Sequence, residues 1–428
     1  MDSLLAISVA LLAGLLMTRV FKLLGFHFPD VTSFLLAGLL VGPYCLGRIG
    51  IAGLGFPTME AVDGMGVVTN TALGFIAFAI GNEFRLSQLR STGKQAVVIG
   101  IFQAVTATVL VDIAMISLHF ILGEEVLPLP AAITLGAIAS ATAPAATLMV
   151  VRQYKASGPV TDLLLPIVAL DDAVGLILFA VSFGIAQALL GGELSVISIV
   201  VNPLLEIVCS LILGAVMGAL LTLLERLFFS NTNRLSLSIG FVVMTIALSS
   251  TEFSFGEVRI SFSSLLVCMM LGTVFCNMSP YSEDIMGRAD KWTAPLFACF
   301  FVISGAGLEL SVFRYPAIVM IGMVYILMRC AGKYCGARVS SSVMKCSENV
   351  RKYLGITLFP QAGVALGMVV TAQALGGEEA ALIRNIILFS VMVYELVGPM
   401  LTKMALTAAG DIREAGPEKK SRERFAHR

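Results

Sequence analysis

Charge is what this chain has least of. Asp, Glu, Lys and Arg together make up 13% of its 428 residues, where a soluble domain carries about a quarter. That is too little polar surface to coat a water-facing globule, so a soluble enzyme or binding domain is excluded. Histidine is almost absent, at three residues, and the eight cysteines form no CxxC pair. A dedicated zinc or haem centre has no ligand set to draw on, and no cofactor is expected. Cys268, Cys276, Cys299 and Cys330 fall inside apolar runs, where a small soft side chain is ordinary packing. The formal net charge is zero, and no nucleic-acid partner is expected.

What the chain has instead is hydrophobicity. Apolar residues make up 57% of it, in recurring runs of about 20 residues, each long enough to cross a bilayer. Membrane-barrel strands would alternate apolar and polar residues, and these runs do not. Thirteen segments read as spans, at about 4–21, 31–47, 62–81, 96–122, 130–151, 160–190, 197–225, 235–250, 261–278, 293–310, 316–339, 353–375 and 383–408. The expected fold class is an all-α polytopic membrane protein in contact with lipid. The first span has no basic segment before it and no small-residue cleavage site after it, so it reads as retained rather than as a signal peptide. Residues 409–428 read as a short, charged, disordered tail.

Basic residues test this division. With the tail cytoplasmic and the N-terminus outside a plasma or inner membrane, 22 Lys and Arg fall on cytoplasmic ends. Four (Arg48, Arg259, Arg314 and Arg384) fall on the opposite side, and two (Arg329 and Lys333) inside a span. This is the positive-inside pattern. An internal echo accompanies it. The third span ends FIAFAIGNEFRLSQLR and the tenth FFVISGAGLELSVFR, each a Phe-rich run, a small-residue break, then Glu, Leu, Ser and Arg. Seven spans separate them, so the copies cross in opposite directions. Inverted repeats of this kind mark transporters, with the substrate site between them. Spans five and six should then pair with spans twelve and thirteen.

That pairing brings two interrupted helices together. Span five contains AIASATAPAATLMVV, with Pro144 among the hydroxyls of Ser140, Thr142 and Thr147; span twelve contains ITLFPQAGVALGM, with Pro360, Gln361 and Gly363. A mid-span proline removes a backbone hydrogen bond and crowds the preceding turn. Freed carbonyls can hold a cation, and half-helix ends bring partial charges to mid-membrane.

Span six reads TDLLLPIVALDDAVGLILFAV. Asp171 lies about 18 Å in from Pro159 at 1.5 Å per residue, near the midplane. An ionised carboxylate in hydrocarbon costs several kcal/mol and is a functional candidate by default. Asp171 and Asp172 point about 100° apart on a helix, so one can face an ion cavity while the other meets a neighbouring helix. Carboxylate oxygens are hard ligands for Na⁺ or Li⁺, with Thr142 and Ser140 as companion donors, and the same oxygens can take protons. A site that accepts one or the other, never both, is what antiport requires.

Span eleven supplies the only mid-span cations, in YILMRCAGKYCGAR. Arg329 and Lys333 are four apart and share a face, placed to neutralise one aspartate. Lys is the better switch, since a buried ammonium can release its proton whereas a guanidinium stays charged. Lys333 is also near enough to the cytoplasmic end to snorkel, and which of the two pairs with the aspartates is left open. Gln103 in span four can face the same centre. Glu395 in span thirteen is expected to find a partner near the cytoplasmic face. Asp112 and His119 are expected to reach water, and Asn82 and Glu83 to be structural.

At these residues the chain resembles the monovalent cation:proton antiporter superfamily, in particular the proton antiporter-2 branch of bacterial Na⁺/H⁺ antiporter-like proteins. The likeness runs from FPDVTSFLLAGLLVGP in span two to VRKYLGITLFPQAGVALGM in span twelve. It implies the sodium–proton antiporter fold with two crossing broken helices, a homodimer, and an elevator motion of a core (about 62–190 and 293–408) against a dimerisation scaffold (about 4–47 and 197–278). It also implies that Asp172 is the ion- and proton-binding carboxylate, that Asp171 is the one paired with lysine, here Lys333, and that exchange is electrogenic, two protons per sodium. Ala143 departs from relatives that carry a carboxylate in the broken helix. The nucleotide-binding regulatory domain of glutathione-gated potassium-efflux relatives is absent from these residues, which argues against that activity.

The function expected is secondary active Na⁺ (or Li⁺) for H⁺ antiport, not an enzymatic reaction, with K⁺/H⁺ exchange on the same fold as the alternative. A sodium-coupled organic-anion symporter shares the architecture but would not move protons. An intramembrane aspartyl protease needs its aspartates on two facing helices and a GxGD motif, which this chain lacks. A channel gives no reason for titratable groups at the midplane.

Overall fold

The computed structural model describes residues 3–412 apart from 27, 52, 83, 85, 191–200, 252, 256, 257, 309 and 311–314. Within helices and strands, the side chains of 87–92, 172, 203, 254, 255, 258–260, 363 and 374 also lie outside the description. The polar ends of the sequence echo, at Glu83, Arg85, Glu309 and 311–314, and the expected tail from residue 413 onward therefore fall outside the described residues.

The described chain is helical but for one short hairpin, β1 (Phe253–Phe255) with β2 (Val258–Ile260). The helices are α1 (Ser3–Leu23), α2 (Asp30–Val41), α3 (Met59–Asp63), α4 (Gly66–Asn82), α5 (Leu86–Leu122), α6 (Leu129–Ile138), α7 (Pro144–Gln153) and α8 (Pro159–Leu189). They continue as α9 (Asn202–Glu225), α10 (Asn231–Ser249), α11 (Ser264–Met278), α12 (Ser282–Ala306), α13 (Pro316–Val343), α14 (Glu348–Thr357), α15 (Gly363–Ala372) and α16 (Gly377–Ala409). Among the described residues, eight helices are long and apolar enough to cross a membrane. The chain is a multi-pass membrane protein. Its outer surface carries Leu4, Leu12, Phe120, Ile212 and Leu327, each more than half exposed, as a lipid-facing wall requires.

In hydrocarbon a helix satisfies its backbone groups within its own segment, and many of its hydroxyls do the same. Ser117 donates to the Ile113 carbonyl (2.6 Å), Thr245 to Phe241 (2.7 Å) and Ser390 to Ile386 (2.8 Å). Three prolines stand where their missing N–H costs nothing, opening α7 at Pro144, α8 at Pro159 and α13 at Pro316, while Pro166, Pro295 and Pro399 lie inside α8, α12 and α16.

The helices pack in two groups. One hydrophobic cluster joins α1–α4 and α9–α12 and takes in one side of α7 and α8; two others join α5–α8 to α13–α16. α4 lies along α11, and α12 along α2, so both side with the first group. Several helices begin or break where hydrophobicity alone does not say so. α5 starts at Leu86 and α12 at Ser282, each about three turns of helix before the apolar run, because a helix extends past the hydrocarbon wherever its polar residues find water. The expected third span opens with α3, ended at Gly64, before α4 begins.

Candidate functional site

The two interruptions lie where the sequence placed them, and they touch. α6 ends at Ile138 and α7 begins at Pro144; α14 ends at Thr357 and α15 begins at Gly363. The Ala143 N–H donates to the Pro360 carbonyl at 2.8 Å, tying one break to the other. Neither α7 nor α15 has a side-chain cap at its start, so both present unsatisfied N–H groups to this crossing.

α13 supplies the polar clamp. Arg329 is fully buried and points at backbone, not at a carboxylate. Its Nε donates to the Ala139 carbonyl (2.9 Å), Nη1 to Phe359 (2.6 Å) and Nη2 to Ala141. One guanidinium thus satisfies carbonyls freed by both breaks, and its face lies 4.7 Å from the Tyr394 ring centroid. Gln361 adds a second tie, its Nε2 donating to the Ile138 carbonyl (2.9 Å) and to the Tyr325 hydroxyl (3.0 Å).

Lys333, one turn on, is the residue that meets an aspartate. Its Nζ lies 3.0 Å from Asp171 Oδ2 with both side chains wholly buried. It also donates to the Thr142 hydroxyl (2.9 Å) and the Ser140 carbonyl (2.5 Å). Snorkelling is excluded by this geometry. Asp171 receives two further donors, the Thr142 hydroxyl on Oδ2 at 2.5 Å and the Gln103 amide on Oδ1. Such a shell is what a buried carboxylate needs, because an ionised one without partners costs several kcal/mol. Asp171, Lys333, Gln103, Thr142 and Ser140 therefore form one cluster, with Arg329, Pro360 and Gln361 bracing the breaks beside it. The Ser140 hydroxyl itself donates to Ala137 (2.7 Å), so this residue serves Lys333 through its carbonyl. Asp172 follows on α8 as a helical residue whose side chain lies outside the description.

One expectation is corrected. Glu395 is not partnered near one face of the membrane. It is 8% exposed, lines a small cavity with Ala143, Pro144 and Ala362, and sits one turn from Gly398, which abuts Pro360. The cause is that α16 crosses the breaks at its middle rather than near its end. Asp112, expected to reach water, is partly exposed. It lies against Gly136 of α6 with Oδ1 buried and without a partner among the described residues. Sequence reading missed Tyr325, Tyr394 and the carbonyls that Arg329 binds. For Tyr325 a signal existed, since Tyr325, Arg329 and Lys333 recur every fourth residue along one stripe of α13.

The chain is similar to known proteins along most of its length. The chain is 23% identical to the K⁺/H⁺ antiporter subunit KhtU of Bacillus subtilis over 382 residues, 88% of this chain and 87% of that one. It is 21% identical to the Na⁺/H⁺ antiporter NhaS4 of Synechocystis over 417 residues, 93% and 95% of the two chains. Among solved structures, the sodium proton antiporter MjNhaP1 of Methanocaldococcus jannaschii superposes with a TM-score of 0.66 at 18% identity, covering 96% of this chain and 97% of that one. The family model described as sodium/hydrogen exchanger, transmembrane, matches residues 7–408. The chain belongs to the transmembrane sodium/hydrogen exchanger family.

Proposed function

We propose that this protein is a secondary active antiporter exchanging Na⁺ (or Li⁺) for H⁺. The observation that carries the reading is the buried Asp171 carboxylate, clamped by Lys333 at 3.0 Å beside two touching helix breaks. Two basic side chains, Arg329 and Lys333, are buried there beside Asp171, and Asp172 is the next residue along α8. An extra cation arriving there leaves an uncompensated charge in low dielectric unless a proton departs. That exclusion is antiport. Asp172 is the carboxylate assigned to the cation, with Asp171, Thr142 and Ser140 beside it. Lys333 holds Asp171 neutralised when the cation is absent, and Gln103 fixes the orientation of the Asp171 carboxylate.

Thirteen crossings account for the helix order when α6–α7 and α14–α15 are each taken as one interrupted span and α3–α4 as another. On this reading the N-terminus is outside, the C-terminus cytoplasmic, and the protein a homodimer. The group α5–α8 with α13–α16 carries the site and moves as an elevator against α1–α4 and α9–α12. This assigns α4 and α12 to the scaffold, because they pack on α11 and α2. A second reading, K⁺ for H⁺, is favoured by the similarity to KhtU over 88% of the chain.

Reconstitution tests both. Proteoliposomes carrying an internal pH dye, given Na⁺, Li⁺ or K⁺ outside, should show cation-driven proton release. Competition between Na⁺ and K⁺ identifies the preferred ion. Asp172→Asn should fall to the level of empty liposomes; full-rate exchange by that variant rejects the assignment.

A further inference from the structure

Glu395 is the buried carboxyl that the transport centre leaves unused. It is 92% buried by area, at 8% exposure, and no hydrogen bond or ion pair reaches it among the described residues. It opens into a cavity of about 20 Å³, room for about one water molecule. One wall of the cavity is the first turn of α7 and the start of α15; the other is Leu35 of α2, Leu73 of α4 and Phe300 and Phe301 of α12. The cavity thus lies on the seam between the two helix groups. Leu396, the next residue, packs into clusters on both sides of that seam.

Among the described residues, the other ionisable groups on the elements packed against this stretch of α16 are engaged elsewhere or distant along their helices. Tyr394 donates to the Ile326 carbonyl (3.0 Å) and covers Arg329, and Cys330 lies 3.7 Å from its hydroxyl. On α13, Tyr325 is taken by Gln361 and Lys333 by Asp171. Asp162 of α8, Asp30 of α2, Arg152 of α7 and Glu348 of α14 stand in the end turns of their helices, and Arg351 and Lys352 follow Asn349 of α14, whose amide donates to the Ala409 carbonyl at the far end of α16. α6 and α15 carry no ionisable residue. Across the seam, Cys299 of α12 faces the Ile7 carbonyl, and Cys268 of α11 is buried against Gly74. The side chain of Asp172 on α8 lies outside the description.

Two uncapped helix starts beside the cavity carry partial positive charge, which favours an anion and disfavours a cation there. Glu395 in its ionised form suits that resting place, with a water to complete its shell. Displacement along the seam carries Glu395, together with those helix starts, across the apolar side chains of Leu35, Leu73, Phe300 and Phe301 on the other group, where an ionised carboxylate must shed its water and a neutral carboxyl costs far less.

We propose that Glu395 is a second proton-binding site, separate from the aspartate pair, and that the seam slides only while this carboxyl is neutral. This rests on the elevator reading above. Exchange should then fail at alkaline pH, as Glu395 ionises, and the failure should belong to Glu395 alone.

The test is the pH profile of Na⁺- or K⁺-driven exchange in proteoliposomes, for wild type, Glu395→Gln, Glu395→Asp and Asp172→Asn. Glu395→Gln, a permanently neutral isostere, is expected to keep the acid side of the profile and the cation KM. Its alkaline decline should vanish or move up by one pH unit or more, about a tenfold change in proton concentration. Glu395→Asp should retain the decline. Infrared difference spectra across the same pH range should show one carboxyl band in wild type that Glu395→Gln lacks, a readout independent of transport and of any folding defect in one variant. An unchanged alkaline limb in Glu395→Gln, no such limb in wild type, or identical carboxyl bands would each overturn the proposal. Loss of exchange in Asp172→Asn with no effect at Glu395 rejects this inference alone, whereas full exchange in Asp172→Asn rejects the antiport assignment beneath it.

Discussion

Arg329 and Lys333 stand one helical turn apart, both wholly buried, and do different work. Arg329 spends its fork on the carbonyls of Ala139, Ala141 and Phe359, backbone acceptors that would otherwise sit unsatisfied at about 1–3 kcal/mol each. Lys333 meets the carboxylate. Their removal should therefore separate stability from transport. Arg329→Gln should lower the thermal unfolding midpoint in detergent by several degrees, since Gln can reach one carbonyl at most. Lys333→Gln should change the chemistry: with the fixed charge gone, exchange under an imposed membrane potential should lose its voltage dependence or stop. Equal melting points for wild type and Arg329→Gln would contradict the bracing role. The sequence alone left open which of the two cations pairs with an aspartate, because spacing places both on one face. What decides it is reach, and reach depends on where the break carbonyls lie, which no local pattern encodes.

The elements were legible to the extent that hydrophobicity governs them. Both breaks were found because Pro144 and Pro360 interrupt long apolar runs, and the run from Pro159 to Leu189 was read within a residue of its ends. The polar extensions of α5 and α12, the split at Gly64 and the β1–β2 hairpin were missed, since each depends on what lies outside the hydrocarbon. Helix-to-helix distance was also hidden in plain glycines. A Cβ at Gly332 would lie 2.6 Å from the Ala107 Cα and one at Gly336 2.7 Å from the Gln103 Cα. α13 and α5 thus touch backbone to backbone, small residues allowing the approach as they do between membrane helices. That contact sets how far Gln103 and Lys333 stand from Asp171. Gly336→Ala should push the helices apart, cost about 1–3 kcal/mol by overpacking, and reduce exchange although it touches neither aspartate. Gly240→Ala on α10, where an added Cβ meets nothing within 4 Å, is the control and should match wild type in both melting point and rate. Equal behaviour of the two variants would show that the α5–α13 distance is not what positions the site.

At the scale of the whole molecule the question is whether two helix groups move past one another, and the ends of α7 offer a handle. Arg152 on α7 is ion-paired to Asp290 on α12, across the seam. Beside it the Gln153 side chain accepts from the Asp30 N–H at the start of α2 (2.8 Å), and Lys403 of α16 lies over the Tyr154 ring (4.8 Å). These ties are partly exposed, with the Asp290 side chain 42% accessible, so the ion pair contributes about 1 kcal/mol or less. A tie that weak holds one position of the groups without forbidding another. It can therefore be replaced by one that does forbid it. With the eight native cysteines removed, Arg152→Cys and Asp290→Cys joined by a short, cleavable bifunctional thiol reagent should abolish exchange, and cleaving the reagent should restore it. Each single cysteine treated alike should remain active, because the loss of one weak ion pair leaves the fold intact. If the cross-linked protein exchanged cations at the uncross-linked rate, α7 and α12 would have no need to separate, and access to the buried aspartates would have to alternate by motions within the site-bearing group alone.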